Sequence, residues 1–124
     1  EKPNVPVLGV CLGMQWMGLL AGGILEQDLS EPYLSHHQVG EHAIEGVIGS
    51  GKVHTHHHQA LNHAGSLSIV ATSDDGVIEA VQDYSKKWYV GVQWHPERTE
   101  NSQLGQDLFN QLVNAVSTEN TMSV

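Results

Sequence analysis

Cationic side chains are scarce in this sequence. Its 124 residues carry five Lys and Arg against 14 Asp and Glu, a formal charge of −9. A nucleic-acid binder needs a basic face and a peripheral membrane anchor a polybasic cluster, so no nucleic-acid and no membrane partner is expected. Cysteine is scarcer still. Cys11 stands alone, which excludes an internal disulfide framework and a multi-cysteine zinc site. A single thiol suits a reducing compartment, so the expected location is cytoplasmic. No stretch reaches the ~18 uninterrupted apolar residues of a membrane span, and no signal peptide is visible at the N-terminus. The remaining composition is that of a globular chain, with 40% hydrophobic residues and 13 glycines, too apolar for disorder. The length predicts a single domain over residues 1–124. It opens at Glu1 with a buried-looking strand almost at once, which reads as a fragment, a processed chain or a truncated domain.

The pattern along the chain predicts an α/β fold. Residues 5–10 are a β-branched apolar run without polar alternation, as in a strand buried on both faces of a parallel sheet. Residues 12–21 are rich in Leu, Met, Gln and Ala and predict a helix, ended by Gly22-Gly23. Residues 43–48 suggest a strand. Residues 54–60 are polar and histidine-rich, and read as a loop into a helical turn. Residues 67–71 alternate and predict a strand, with a turn at 73–76. Strands follow over 77–83 and 88–94, joined by a turn at 85–87. Residues 101–115 carry Leu104, Leu108, Leu112 and Ala115 on one stripe, widened by Phe109 and Val116, an amphipathic helix. Residues 117–124 read as a frayed tail.

The sharpest local feature is Gly9-Val10-Cys11-Leu12-Gly13. A strand runs into a helix with the cysteine at the junction, the Gly-x-nucleophile-x-Gly elbow with sulfur in place of oxygen. Both glycines are expected to spare the tight turn a Cβ clash. The helix N-terminus is expected to favour thiolate over thiol. The amide of Leu12 is expected to point where an oxyanion would form. The competing reading is a small buried cysteine that happens to lie among glycines.

A nucleophilic thiol needs a base, and nine histidines are available. Gly91-Val92-Gln93-Trp94-His95-Pro96-Glu97 is the best candidate. His95 falls at the end of an apolar strand, where open α/β sheets place chemistry. Pro96 ends the strand, and Glu97 can fold back to accept a hydrogen bond from the imidazole and fix its tautomer. The alternative is a strand-terminal histidine beside a solvated glutamate. A third cluster, His54-Thr55-His56-His57-His58-Gln59, invites a metal reading. Neighbouring residues point in different directions, so at most two could share an ion unaided. A polar loop with one or two functional side chains is the plainer reading, and no metal is expected.

Together these motifs resemble the class I glutamine amidotransferase superfamily, and most closely its γ-glutamyl hydrolase-like peptidases, including γ-glutamyl-γ-aminobutyrate hydrolase. Residues 7–15 with Gly22-Gly23, the segment Thr55-His56-His57-His58-Gln59-Ala60, and Gly91 through Glu97 occur in family order. Asp75-Gly76-Val77-Ile78-Glu79-Ala80 matches a strand these enzymes place between the last two. The resemblance implies a partial flavodoxin-like domain: a mostly parallel sheet with flanking helices, a small antiparallel section, and its N-terminal strands missing. It implies Cys11 as nucleophile, His95 as general base and acid, and Glu97 as the group that orients it. Attack on a γ-glutamyl carbonyl would give a γ-glutamyl thioester, hydrolysed by water without a cofactor. Leu12 would supply an oxyanion amide, with Gln15, Thr55, His57 and Gln59 near the glutamyl group of a small-molecule substrate. The family usually has Asn-Ser where this chain has His54-Thr55.

Family members carry a longer segment before the nucleophile strand, holding further strands and a second oxyanion donor. Losing one such donor typically costs ~10²–10³ in rate. The expected partner is therefore a complementing N-terminal segment or a second copy in a homo-oligomer. The competing function is a truncated, weakly active or inactive relic acting as an oligomerising or binding module.

Overall fold

The structure, a computed structural model, describes residues 5–26, 40–55 and 59–123. In chain order the elements are β1 (Val7–Val10), α1 (Leu12–Leu20), β2 (Ile24–Glu26), β3 (Gly40–Glu45), β4 (Gly51–Thr55), β5 (Ala60–His63), β6 (Ser68–Ser73), β7 (Ile78–Gln82) and β8 (Tyr89–Val92). A 3-10 turn (Pro96–Arg98) and the helix α2 (Gln106–Ser123) follow. Six strands form one sheet in the order β1-β8-β7-β6-β3-β4, and β2 pairs with β5 in a separate ribbon.

The fold is α/β, as the sequence predicts, and its antiparallel section is larger than expected. Parallel pairing joins β1 to β8, with Val7 opposite Tyr89 and Val10 opposite Val92. The other pairings in this sheet are antiparallel. Loop length is the reason. Residues 74–77 link β6 to β7 and residues 83–88 link β7 to β8, while a parallel crossover needs a dozen residues or more.

Two apolar layers flank the sheet; the period-2 alternation of the strands divides residues between them, except at the β6–β7 register shift, which sets Ile78 and Ala80 in different layers. On one side α1 contributes Met14 and Met17, which pack with Leu61, Ile78 and Val81. On the other, Val90, Val92, Ala80 and Val53 pack with Trp94, Leu104 and Leu108. The indole N–H of Trp94 donates to the carbonyl of Leu104 at 2.7 Å, pinning the turn before α2 to the end of β8.

Several predicted bounds shift. Residues 54–55 lie in β4 and residues 60–63 form β5, not a loop into a helical turn. Val53 is fully buried in the core, and β4 completes a hairpin with β3, so tertiary pairing overrides the polar local pattern. The second helix begins at Gln106, after a turn in which Asn101 Oδ1 accepts from the amide of Leu104 at 3.2 Å. It continues through Ser123 where a frayed tail is predicted. Its apolar stripe is fully buried only at the start: Leu108 is buried, Leu112 and Ala115 are half-buried, and Val116 is exposed. Among the described residues no helix is long and apolar enough to cross a membrane.

Glycine explains how closely α1 lies on the strands. A Cβ at Gly91 would fall 2.8 Å from Met14 Cγ, and one at Gly9 would fall 2.9 Å from the backbone carbon of Gly13. At Gly13, contrary to the steric expectation, a Cβ would meet nothing within 4 Å. Gly13 lies in the first turn of α1, and of the two elbow glycines Gly9 is the one sterically required. Gly9→Ala is expected to destabilise the fold by about 1–3 kcal/mol through overpacking. Gly13→Ala is expected to be neutral or to stabilise by up to about 1 kcal/mol, since glycine weakens helices. Urea denaturation of both variants tests the pair, and equal losses would contradict this account of the turn.

Candidate active site

The site is built where two parallel strands end side by side. Just beyond the Val10–Val92 pair, the amide of Cys11 donates to the carbonyl of Val92 at 2.8 Å. Cys11 then turns the chain with φ 54° and ψ −105°, the one non-glycine with positive φ among the described residues. This is the strained elbow that the sequence predicts, and α1 starts at the next residue. Gln93 lies opposite Cys11 on the neighbouring strand end, and His95 follows two residues on.

The backbone of His95 is stitched to the sheet from three directions. Its amide donates to the carbonyl of His54 at 2.9 Å. Its carbonyl accepts from the Thr99 hydroxyl at 2.8 Å, and the same oxygen of Thr99 accepts from the amide of His54 at 3.1 Å. The His95 ring donates through Nδ1 to Glu97 Oε2 at 3.0 Å, the arrangement predicted from their spacing. Glu97 is 49% exposed, so solvent screens that pair and its value is orientation more than energy. The His54 ring stands edge-on to that of His95, with centroids 6.3 Å apart.

Behind the thiol lies a buried polar network that the sequence motifs contain but do not explain. Gln93 Nε2 donates to Cys11 Sγ at 3.5 Å. Gln15 Nε2 donates to Gln93 Oε1 at 3.0 Å and to the carbonyl of Gln59 at 3.4 Å. Gln15 Oε1 is buried without a hydrogen-bond partner among the described residues. On β7 the carbonyl of Glu79 accepts from the amide of Gln93 at 2.7 Å. The Glu79 side chain is fully buried and meets His42 Nε2 at 3.0 Å. The apolar alternation of β7 gives no hint of a buried carboxylate, and its partner His42 reaches it from β3, two strands away across β6.

Of the remaining predicted residues, Leu12 opens α1 and its amide donates to the Cys11 sulfur. Gln15, expected against substrate, is 2% exposed and its amide nitrogen is engaged by Gln93 and Gln59. Thr55 ends β4, paired with Gly40. His57, like His56 and His58, lies outside the described residues. Among the described residues, no three of His, Cys, Asp or Glu gather as a metal site would need.

The electrostatics of the thiol correct one expectation. Burial pushes the Cys11 thiol above its ordinary value, and the carboxylates of Glu97 and Glu79 add to that push. The Leu12 amide and the Gln93 side chain act the other way and do not overcome it. The helix N-terminus therefore does not by itself produce a resting thiolate: desolvation of the charged form outweighs it. Iodoacetamide alkylation of Cys11 should rise with pH around a midpoint above that of an unstructured cysteine in the same buffer. A midpoint below that reference would reverse the sign of this balance.

Comparison with known proteins places these elements in a family. The Peptidase C26 family matches residues 1–97. The chain is 35% identical over 121 residues to the protein NtpR of Enterococcus hirae, covering 82% of this chain and 51% of that protein. It is 36% identical over 131 residues to a Mycobacterium tuberculosis protein named "putative glutamine amidotransferase", covering 92% of this chain and 41% of the relative. The chain thus spans about half the length of the curated relatives it matches. In fold it resembles a glutamine amidotransferase from Thermotoga maritima, with a TM-score of 0.59 at 18% identity, covering 95% of this chain and 49% of that one. The chain belongs to the Peptidase C26 family, within the class I glutamine amidotransferase-like group.

Proposed function

We infer that this chain is the nucleophile-bearing part of a cysteine hydrolase of the glutamine amidotransferase type, acting on a γ-glutamyl amide. The observation that carries the reading is Cys11 at the strained elbow, on the strand end next to the one that leads into the His95–Glu97 pair. Cys11 is the nucleophile, His95 the base and then the acid, and Glu97 the group that holds the ring.

The raised thiol shapes the mechanism. At neutral pH the sulfur keeps its proton, so attack requires its removal, and His95 Nε2 takes it because Nδ1 is committed to Glu97. Sulfur bonds to the γ-glutamyl carbonyl carbon, and the oxyanion meets the amide of Leu12. The carbonyl re-forms, the C–N bond breaks, and the leaving amine takes the proton from His95. Water then attacks the thioester with His95 as base, releasing the γ-carboxylate and restoring the thiol. We assign recognition of the glutamyl group to Gln15, Thr55, His57 and Gln59. No cofactor enters this scheme.

Two features support a partner on one side of the chain. Among the described strands β1 ends the sheet, paired to β8 alone, and an unpaired strand edge invites another strand. The adjoining helix exposes Leu12, Trp16, Leu19 and Leu20, an apolar stripe larger than isolated surface residues would leave. A complementing N-terminal segment or a second copy would cover both, and a reducing, cytoplasmic setting would keep the lone thiol reduced.

Release of glutamate from glutamine or γ-glutamyl-aminobutyrate tests the assignment. Cys11→Ala is expected to abolish turnover, and His95→Ala to lower it by about 10²–10⁴-fold. Glu97→Gln is expected to lower it less, given the exposure of that carboxylate. Equal activity in all three variants would refute the roles, and a complete lack of hydrolysis in the unsubstituted chain would favour a binding module.

A further inference from the structure

We propose that Gln93 is a positioning residue for the Cys11 thiolate, aimed by a chain of side-chain amides that begins at the main-chain carbonyl of Gln59. This rests on Cys11 being the nucleophile and goes beyond it by explaining the glutamine between Val92 and Trp94. The argument is one of donors and acceptors. A main-chain carbonyl can only accept. The group of Gln15 that faces the Gln59 carbonyl at 3.4 Å must therefore be its NH₂. That same NH₂ lies 3.0 Å from the Gln93 side chain, which must present its oxygen there. The opposite end of the Gln93 amide, its NH₂, is then forced toward Cys11 Sγ at 3.5 Å. The choice of amide flip, ordinarily ambiguous, is fixed at each link by the one before.

The network is held firmly enough to act. Gln15 and Gln93 are both buried, and the main chain of Gln93 is tied to β7 through the Glu79 carbonyl at 2.7 Å. A protonated sulfur gains little from an amide donor, whereas a thiolate gains a charge-assisted hydrogen bond. Gln93 thus favours the form that attacks. Its influence opposes burial and the carboxylates of Glu79 on β7 and Glu97 beyond β8. Among the described residues α1 brings no titratable side chain to this face, since it reads LGMQWMGLL. The Leu12 amide acts in the same sense as Gln93.

The test is the pH profile of Cys11 alkylation by iodoacetamide in the whole chain, the lone cysteine making the readout specific. Gln93→Leu removes the donor and is expected to raise the midpoint by about one to two pH units, the equivalent of a hydrogen bond to a charged group. Gln93→Glu keeps the shape, replaces donor by acceptor, and is expected to raise it at least as far. Gln15→Met leaves the sulfur untouched but frees the Gln93 amide to turn, and a smaller rise is expected. Unchanged midpoints in folded variants overturn the proposal. Should the variants not fold, the unsubstituted chain decides: the side-chain amide resonance of Gln93 must titrate with the alkylation midpoint, and a flat response overturns the proposal. Glutamate release is measured separately. A shifted midpoint without hydrolysis would sink the assigned activity and leave the positioning role standing. Hydrolysis lost in Cys11→Ala, with Gln93 variants unshifted, would do the reverse.

Discussion

One residue makes the chain change from strand to helix without a loop. At Cys11 the backbone adopts a positive φ that costs a non-glycine residue about 1–3 kcal/mol. Such a conformation persists only where its neighbours over-determine it. Here they do so from both sides. The amide of Cys11 is bonded to Val92 on the adjacent strand, and Met14 and Met17 seat α1 against Gly9 and Gly91. Bury two methionines from the same helix face and each contributes a few kcal/mol, enough to offset the strain. The missing Cβ atoms matter because they let the helix come close enough for that packing. The elbow and the core beneath it are therefore one device, and the position of the sulfur follows from both.

That position carries an electrostatic cost. Removing a thiolate from water disfavours it, and two nearby carboxylates disfavour it further. The site answers with donors, the Leu12 amide and Gln93, that gain strength only when the sulfur is charged. A thiol at rest is less exposed to oxidation than a thiolate. The same arrangement that withholds reactivity from solvent can supply it when a base is oriented. The buried Glu79–His42 contact belongs to this balance, since the Glu79 carboxylate acts on the Cys11 thiol and His42 gives that carboxylate a partner.

Much of this was legible in the residues. The elbow pentapeptide and the His-Pro-Glu ending carry their geometry in short local patterns, and the structure realises the strand, the turn, the helix and the His95–Glu97 bond in the order they are written. β4 and β5 were not legible: the polar residues of β4 say loop although its partner β3 is close by, and the partner of β5, β2, lies far off in sequence. The direction of the thiol's shift was not legible either. Burial and the two carboxylates act through space, and no spacing rule reports how deep a sulfur sits. Gln93 and Gln15 were visible as letters within motifs. Their connection to each other joins residues 78 positions apart and emerges only when strand β8 is laid beside β1.

The histidine shows how the protein separates rigidity from chemistry. Its main chain is held by His54, by Thr99 and by the packing of the neighbouring Trp94, whose indole is locked to Leu104. None of these bonds involves the imidazole. The ring is held by Glu97, which solvent reaches, so the orienting bond can lengthen or shorten at little cost. In the role proposed for His95, base and then acid, an orienting bond that solvent already weakens lets the ring adjust its contacts without disturbing the main chain that carries it.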